Sequence, residues 1–154
     1  MLTVRIRPIQ SSDRSSWEDL CHQYLSFYDS EAVSSHTELL WARLVNVVPE
    51  INGVVATEDS KVLGFAHFHF QISSWSSTSH CYLEDLFVDP ECRGQGAGAA
   101  LIEAVKLEAL KAEASEMFWI TRAGNQKARS LYDRLAGATD FVRYEILLKS
   151  RPSN

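Results

Sequence analysis

Only three cysteines, Cys21, Cys81 and Cys92, occur in the 154 residues, and no two of them stand in C-x-x-C spacing. An odd, scattered set excludes both the disulfide framework of small secreted domains and a cysteine zinc site. Long apolar runs are also missing: nothing approaches the roughly 18 consecutive residues that a membrane-spanning helix requires. Basic charge is scarce as well, with 15 Lys and Arg against 20 Asp and Glu for a net charge of -5. Nucleic-acid surfaces want the opposite balance, so the acidic excess suits cationic partners instead. Neither an internal repeat nor a Pro/Gly-rich linker divides the chain. We therefore expect one domain over residues 1–150 with a short tail at 151–154, and the 45% hydrophobic content is enough for a buried core. Met1–Arg5 enters a strand-like pattern at once, without a leader-like segment, so the expected location is the reducing cytoplasm.

Along the chain, Thr3–Ile9 alternates as a first strand, and Ser11-Ser12-Asp13 offers N-caps to a helix whose Trp17, Leu20, Cys21, Tyr24 and Tyr28 recur at helical spacing. Ser35-His36-Thr37-Glu38 has the form of a capping box before a second helix that ends ahead of Pro49. Gly53–Thr57 and Val62–Ile72 read as strands about a turn at Glu58–Lys61, and Ser73–Ser79 reads as a loop before a strand over His80–Val88. A helix to about Ala114, a strand at Met117–Thr121, a helix capped by Asn125 and a closing strand at Phe141–Leu148 complete the pattern. Interleaved strands and helices of this kind make a mixed α/β domain.

The most informative stretch is Tyr82–Gly98, YLEDLFVDPECRGQGAG, in which a strand passes Asp89-Pro90 and glycines open a helix. Such a turn bares backbone N–H groups at the positive end of a helix dipole, where phosphate oxygens bind. Gly94-Gln95-Gly96-Ala97-Gly98-Ala99 also fits the loose dinucleotide pattern G-x-G-x-x-G/A. That reading wants an acid about 20 residues on to hold a ribose hydroxyl, yet the next strand runs into Thr121-Arg122. No phosphate-loop lysine follows Gly98 either.

Arg93, Gly96 and Gly98 stand in the fixed positions of the R/Q-x-x-G-x-G/A signature, and this segment resembles that of the GNAT superfamily of N-acetyltransferases. The likeness extends to Leu83–Val88, similar to the family's fourth strand, and to Asn125–Tyr132, similar to its N-x-x-A-x-x-L-Y helix. Within the superfamily the chain looks most like the branch of spermidine/spermine acetyltransferases and Hpa-type enzymes. The resemblance implies a central mixed, splayed sheet flanked by helices, with the fourth and fifth strands parting near Phe87 and Ile120. It further implies an acetyl-coenzyme A-dependent N-acetyltransferase, with the pyrophosphate held by Arg93, Gly94, Gln95, Gly96, Ala97, Gly98 and Ala99. Leu86, Phe87, Val88, Asn125, Ala128 and Tyr132 would line the pantetheine arm, which pairs with exposed strand backbone.

Acetyl transfer needs a neutral amine, a stabilised oxyanion and a proton for the departing thiolate. By resemblance, Glu84 accepts the ammonium proton through water, Tyr132 protonates the thiolate and a backbone N–H near Phe87 serves the oxyanion. A carboxylate on a strand surface is as often only solvated, and an aromatic on a helix face is usually packing; the motif context tips both toward catalysis. Asp85 adjoins Glu84, but successive strand residues point to opposite faces unless a bulge intervenes, so its role stays open between structure and acceptor binding. The link after the first helix and the third-to-fourth-strand loop form the acceptor walls in this family, which nominates Tyr24, Phe27, Tyr28, Asp29, Glu31 and Trp75. His67 and His69 share a face but lack a third ligand, so no metal is expected. Cys81 and Cys92 read as packing residues, since direct transfer needs no thiol.

Where the polyamine enzymes carry an acid before a loop tryptophan, this chain has Ser73-Ser74-Trp75, which weakens the case for a long polycation. The expected acceptor is the primary amine of a small molecule, such as a polyamine or amino acid, attacked directly in a ternary complex. Two alternatives remain: a non-catalytic acyl-coenzyme A sensor, or an acetyltransferase of protein lysines or N-termini. The resemblance also implies a homodimer.

Overall fold

The computed structural model describes residues 3–28 and 34–149. Its first unit, through Ile120, is built on a five-stranded sheet. In chain order come β1 (Arg5–Pro8), α1 (Arg14–Phe27), α2 (Ser34–Val45), β2 (Asn52–Glu58), β3 (Lys61–Gln71), β4 (His80–Val88), α3 (Ala97–Lys111) and β5 (Glu116–Phe118). The strands lie side by side in sequence order; all neighbours are antiparallel except β4 and β5, which are parallel. This is the mixed α/β class that the sequence pattern implies.

One face of the sheet is covered by α1 and α2 around Trp17, Leu20, Cys21, Leu44, Val55, Val62, Phe65 and Phe87. The other is covered by α3, which buries Leu101, Ile102, Val105 and Ala109. Each large apolar side chain so buried contributes roughly 1.5–3 kcal/mol. Trp17, fully buried, also carries an indole N–H that must find an acceptor, because an unpaired buried donor costs about 1–3 kcal/mol.

The start of α1 departs from expectation. Ser11–Asp13 form a short 3-10 turn, and Asp13 directs its carboxylate to the Gln10 N–H (2.8 Å) and to both terminal nitrogens of Arg7 on β1 (2.7 Å each). The hydrogen bond from Arg7, against the opposing effect of burial, holds the Asp13 carboxyl below its ordinary range. Helix α2 already includes Ser34, so Ser35 lies within it rather than capping it.

Gly64 shows where backbone packing dictates a residue. A Cβ there would lie 2.5 Å from the Phe87 carbonyl oxygen and 3.1 Å from Val88 Cα, so it could fit only by prising β3 from β4. Gly64→Ala is expected to destabilise the protein by about 2–3 kcal/mol in denaturant titration. An unchanged midpoint would show that the strands relax freely at this position.

Residues from Thr121 onward form a second unit. It contains α4 (Gln126–Leu135), on which Ala128, Leu131 and Tyr132 are partly shielded while Lys127, Ser130 and Asp133 face solvent. The strand expected at Phe141–Leu148 is not formed: residues 141–148 carry no ladder, and Phe141, Val142, Tyr144, Ile146 and Leu148 are exposed. An alternating pattern makes a segment fit for a strand, but a strand also needs a ladder.

Candidate active site

The register between β3 and β4 slips at one point. His67 pairs with Asp85 and Phe68 with Leu83, leaving Glu84 as the extra residue of a bulge. The consequence is chemical. His67 and His69, two apart on β3, face the same side, and each meets an acid of β4: His67 Nδ1 lies 3.0 Å from Asp85 Oδ2, and His69 Nε2 lies 3.3 Å from Glu84 Oε2. Consecutive carboxylates, which regular alternation would send to opposite faces, therefore share the α1 face.

Their surroundings differ. Glu84 is exposed, whereas Asp85 accepts hydrogen bonds from His67 and from the Tyr24 hydroxyl of α1 (2.8 Å) and has only 24% of its side chain exposed. Burial pushes the Asp85 carboxyl upward, but the bonds from His67 and Tyr24 outweigh it and hold the group below its ordinary range. Tyr24 shifts the opposite way: burial first, then the Asp85 charge, raises its phenol far above the usual value. His67 passes the network inward, because Trp17 Nε1–H donates to its Nε2 at 2.9 Å. The buried indole thus finds its acceptor.

Along β4 the ladder with β5 is short. The parallel pairing runs only from His80–Glu116 to Tyr82–Phe118, so Leu83–Val88 continue with no β5 partner along that side. The parting lies earlier than the Phe87/Ile120 position expected, because β5 ends at Phe118. Beyond the strand, Asp89 Oδ1 accepts from the Glu91 N–H at 3.0 Å, which tightens the Pro90–Cys92 turn. Arg93 folds back: its Nε donates to the Val88 carbonyl at 2.9 Å and its guanidinium covers the Phe87 ring at 5.3 Å. Gly94 and Gly96 adopt left-handed φ of 77° and 90°, with open space where a Cβ would stand, and Gly96 precedes the first turn of α3. That turn's amides have no intrahelical acceptors, which makes it a cradle for phosphate oxygens.

The aromatic candidates divide. Tyr28 meets Tyr24 and Phe27 edge-on at the end of α1, with centroids 5.1 and 5.2 Å apart, whereas Trp75 is 86% exposed in the β3–β4 loop. Asp29 and Glu31 lie outside the described residues. In the second unit, Asn125 precedes α4 but does not cap it with its side chain; its Nδ2 donates to Thr121 Oγ1 at 3.1 Å. Ala128 and Tyr132 follow on that helix. Cys81 and Cys92 are buried, and burial pushes the Cys81 thiol up to about 11, which suits packing rather than nucleophilic attack. Among the described residues no group of three His, Cys, Asp or Glu could hold a metal.

The family model "Acetyltransferase (GNAT) family" matches residues 13–138, a span that takes in the bulged strand, the glycine turn and α3. The chain belongs to the GNAT family. Over 144 residues it is 29% identical to a D-amino-acid N-acetyltransferase of Saccharomyces cerevisiae, covering 92% of this chain and 89% of the relative. It is 30% identical over 160 residues to the thialysine N-epsilon-acetyltransferase of Mus musculus, covering 98% and 93%. In fold it resembles the crystal structure of a probable acetyltransferase with a TM-score of 0.85, at 24% identity and with 96% and 99% of the two chains covered. As a GNAT protein it is an acetyl-coenzyme A-dependent N-acetyltransferase acting on amines.

Sequence reasoning does not find His67 and His69 as partners of the acids, or Trp17 as the donor to His67. The signal that points to them is the pair of histidines two apart on β3. The open question over Asp85 turns on the bulge, which sequence alternation alone cannot reveal.

Proposed function

We propose that this GNAT enzyme acetylates the primary amine of a small amino-acid-like molecule by direct attack on acetyl-coenzyme A. The observation that carries this reading is the bulge, which sets Glu84 and Asp85 on one face of β4 beyond its ladder with β5. Acetyl-coenzyme A supplies the thioester. Leu86–Val88 would offer backbone to its pantetheine arm and an amide to the oxyanion, and Arg93–Ala99 would hold the pyrophosphate. Glu84 takes the ammonium proton through water, the amine bonds to the carbonyl carbon, the C–S bond breaks, and Tyr132 delivers a proton to the thiolate sulfur; the second proton shed by the new amide nitrogen passes to solvent, which reprotonates Tyr132. Asn125 and Ala128 contact the pantetheine, while Tyr24, Phe27, Tyr28 and Trp75 wall the acceptor.

The relatives that act on D-amino acids and on thialysine favour a free amino-acid-like acceptor over a polyamine. They also favour an enzyme over a non-catalytic sensor. Residues 1–150 are taken as one catalytic domain, with 151–154, outside the described residues, as its tail. Three buried free thiols suit a reducing cytoplasm, and GNAT habit suggests a homodimer.

Free-thiol release on D- and L-amino acids, thialysine, polyamines and lysine peptides tests the acceptor class. Fastest turnover on an amino acid or thialysine supports the proposal, and preference for peptides overturns it. Gly96→Ala tests the cradle. Because a left-handed φ costs a non-glycine residue about 1–2 kcal/mol, acetyl-coenzyme A binding should weaken about tenfold in calorimetry. Unchanged affinity would remove Gly96 from the cofactor site.

A further inference from the structure

The contact between His67 and Asp85 has the geometry of an ion pair, but its third member changes its meaning. Trp17 Nε1 can only donate, and its acceptor is His67 Nε2 at 2.9 Å. That nitrogen therefore carries no proton, the ring's single proton sits on Nδ1, and it is donated to Asp85 Oδ2 at 3.0 Å. From this bonding pattern we infer that Trp17 locks His67 as a neutral imidazole, so that Asp85 keeps an uncancelled negative charge and selects acceptors that arrive as cationic alkylammonium ions.

Among the described residues the groups facing this centre leave most of that charge in place. From α1 come Tyr24, whose hydroxyl donates to Asp85, and Cys21, whose thiol burial pushes upward; both are neutral. Arg14 of the same helix is engaged by Glu18 and by Glu38 of α2. From β4, Glu84 adds a second carboxylate, and His69 of β3 lies against it. A quarter of the Asp85 side chain remains exposed beside Glu84, so its field reaches the surface where the acceptor is expected. A carboxylate there draws in the ammonium ion, and it stabilises the positive charge that grows on nitrogen as the amine bonds to the carbonyl carbon. Asp85 is thus a specificity-determining residue, and His67 and Trp17 are positioning residues.

The inference about specificity rests on the proposed amine acetylation, whereas the inference about protonation does not, and the experiment separates them. Nitrogen-15 spectra of the intact protein at pH 7 are expected to show His67 with one protonated nitrogen, Nδ1. In Trp17→Phe, where Nε2 loses its donor, the proton should no longer be confined to Nδ1. Two protons on wild-type His67 at pH 7 would overturn the lock. Acetyl-coenzyme A is then supplied with a primary alkylamine, cationic at pH 7, or an arylamine, neutral there. Asp85→Asn should lower the ratio of kcat/KM for alkylamine over arylamine by about ten- to a hundredfold, the range for a hydrogen-bonded charge, while cofactor affinity holds. Trp17→Phe, which frees Nε2, should lower the same ratio. An unchanged ratio in Asp85→Asn would overturn the selectivity. No turnover of any amine by wild type, with the single proton confirmed, would defeat the proposed acceptor chemistry and the selectivity drawn from it, leaving the tautomer lock intact.

Discussion

Glu84→Gln is expected to lower turnover by about a hundredfold to ten-thousandfold, the usual range for a positioned general base, with the greatest loss at low pH. The direction follows from the substrate. As pH falls a larger share of the acceptor is ammonium and depends on a base to free its lone pair; at high pH the free amine attacks without help. Glu84 is placed for this as the bulged residue of β4, exposed and facing the same side as Asp85, with His69 3.3 Å away. Gln keeps the shape and removes the basicity, so calorimetric affinity for acetyl-coenzyme A should not change. A pH–rate profile that superimposes on wild type would reduce Glu84 to a surface carboxylate.

Tyr132→Phe is expected to cut kcat by about a hundredfold while cofactor affinity stays within a fewfold. Phe preserves the ring, so a side chain that only packs the face of α4 with Ala128 and Leu131 would lose little when the hydroxyl goes. A proton donor would lose its function outright. The loss should shrink when the thioester carries a more acidic thiol, because a better leaving group needs less protonation. Full activity in Tyr132→Phe would leave the thiolate to be protonated by water or another group.

Much of the scaffold could be read from residues alone. His80–Val88 is a strand with the bounds expected, β2 and β3 differ from expectation by a residue at either end, and the glycine turn opens α3 as its N–H chemistry requires. Periodicity and turn residues are local signals, and these elements depend on local choices. The errors lie where structure depends on partners. Asp13 stands at the N-cap position of α1 but gives its carboxylate to Arg7 of the first strand instead of the helix amides, and Phe141–Leu148 has a strand's alternation without a ladder. The site follows the same division. Glu84, Arg93, Gly96 and Tyr132 stood in motifs, whereas the link from Asp85 through His67 to Trp17 joins residues distant in sequence through a register slip that only β3–β4 pairing creates.

The central claim is that this chain moves an acetyl group from coenzyme A to an amine. Its most direct test is calorimetric titration with acetyl-coenzyme A, followed by thiol release and product mass in the presence and absence of amino-acid acceptors. Saturable binding, with thiol released only when an amine is present and an acetylated amine in equal amount, is the expected result. Failure to bind acetyl-coenzyme A, or binding without transfer across the whole panel, would contradict it.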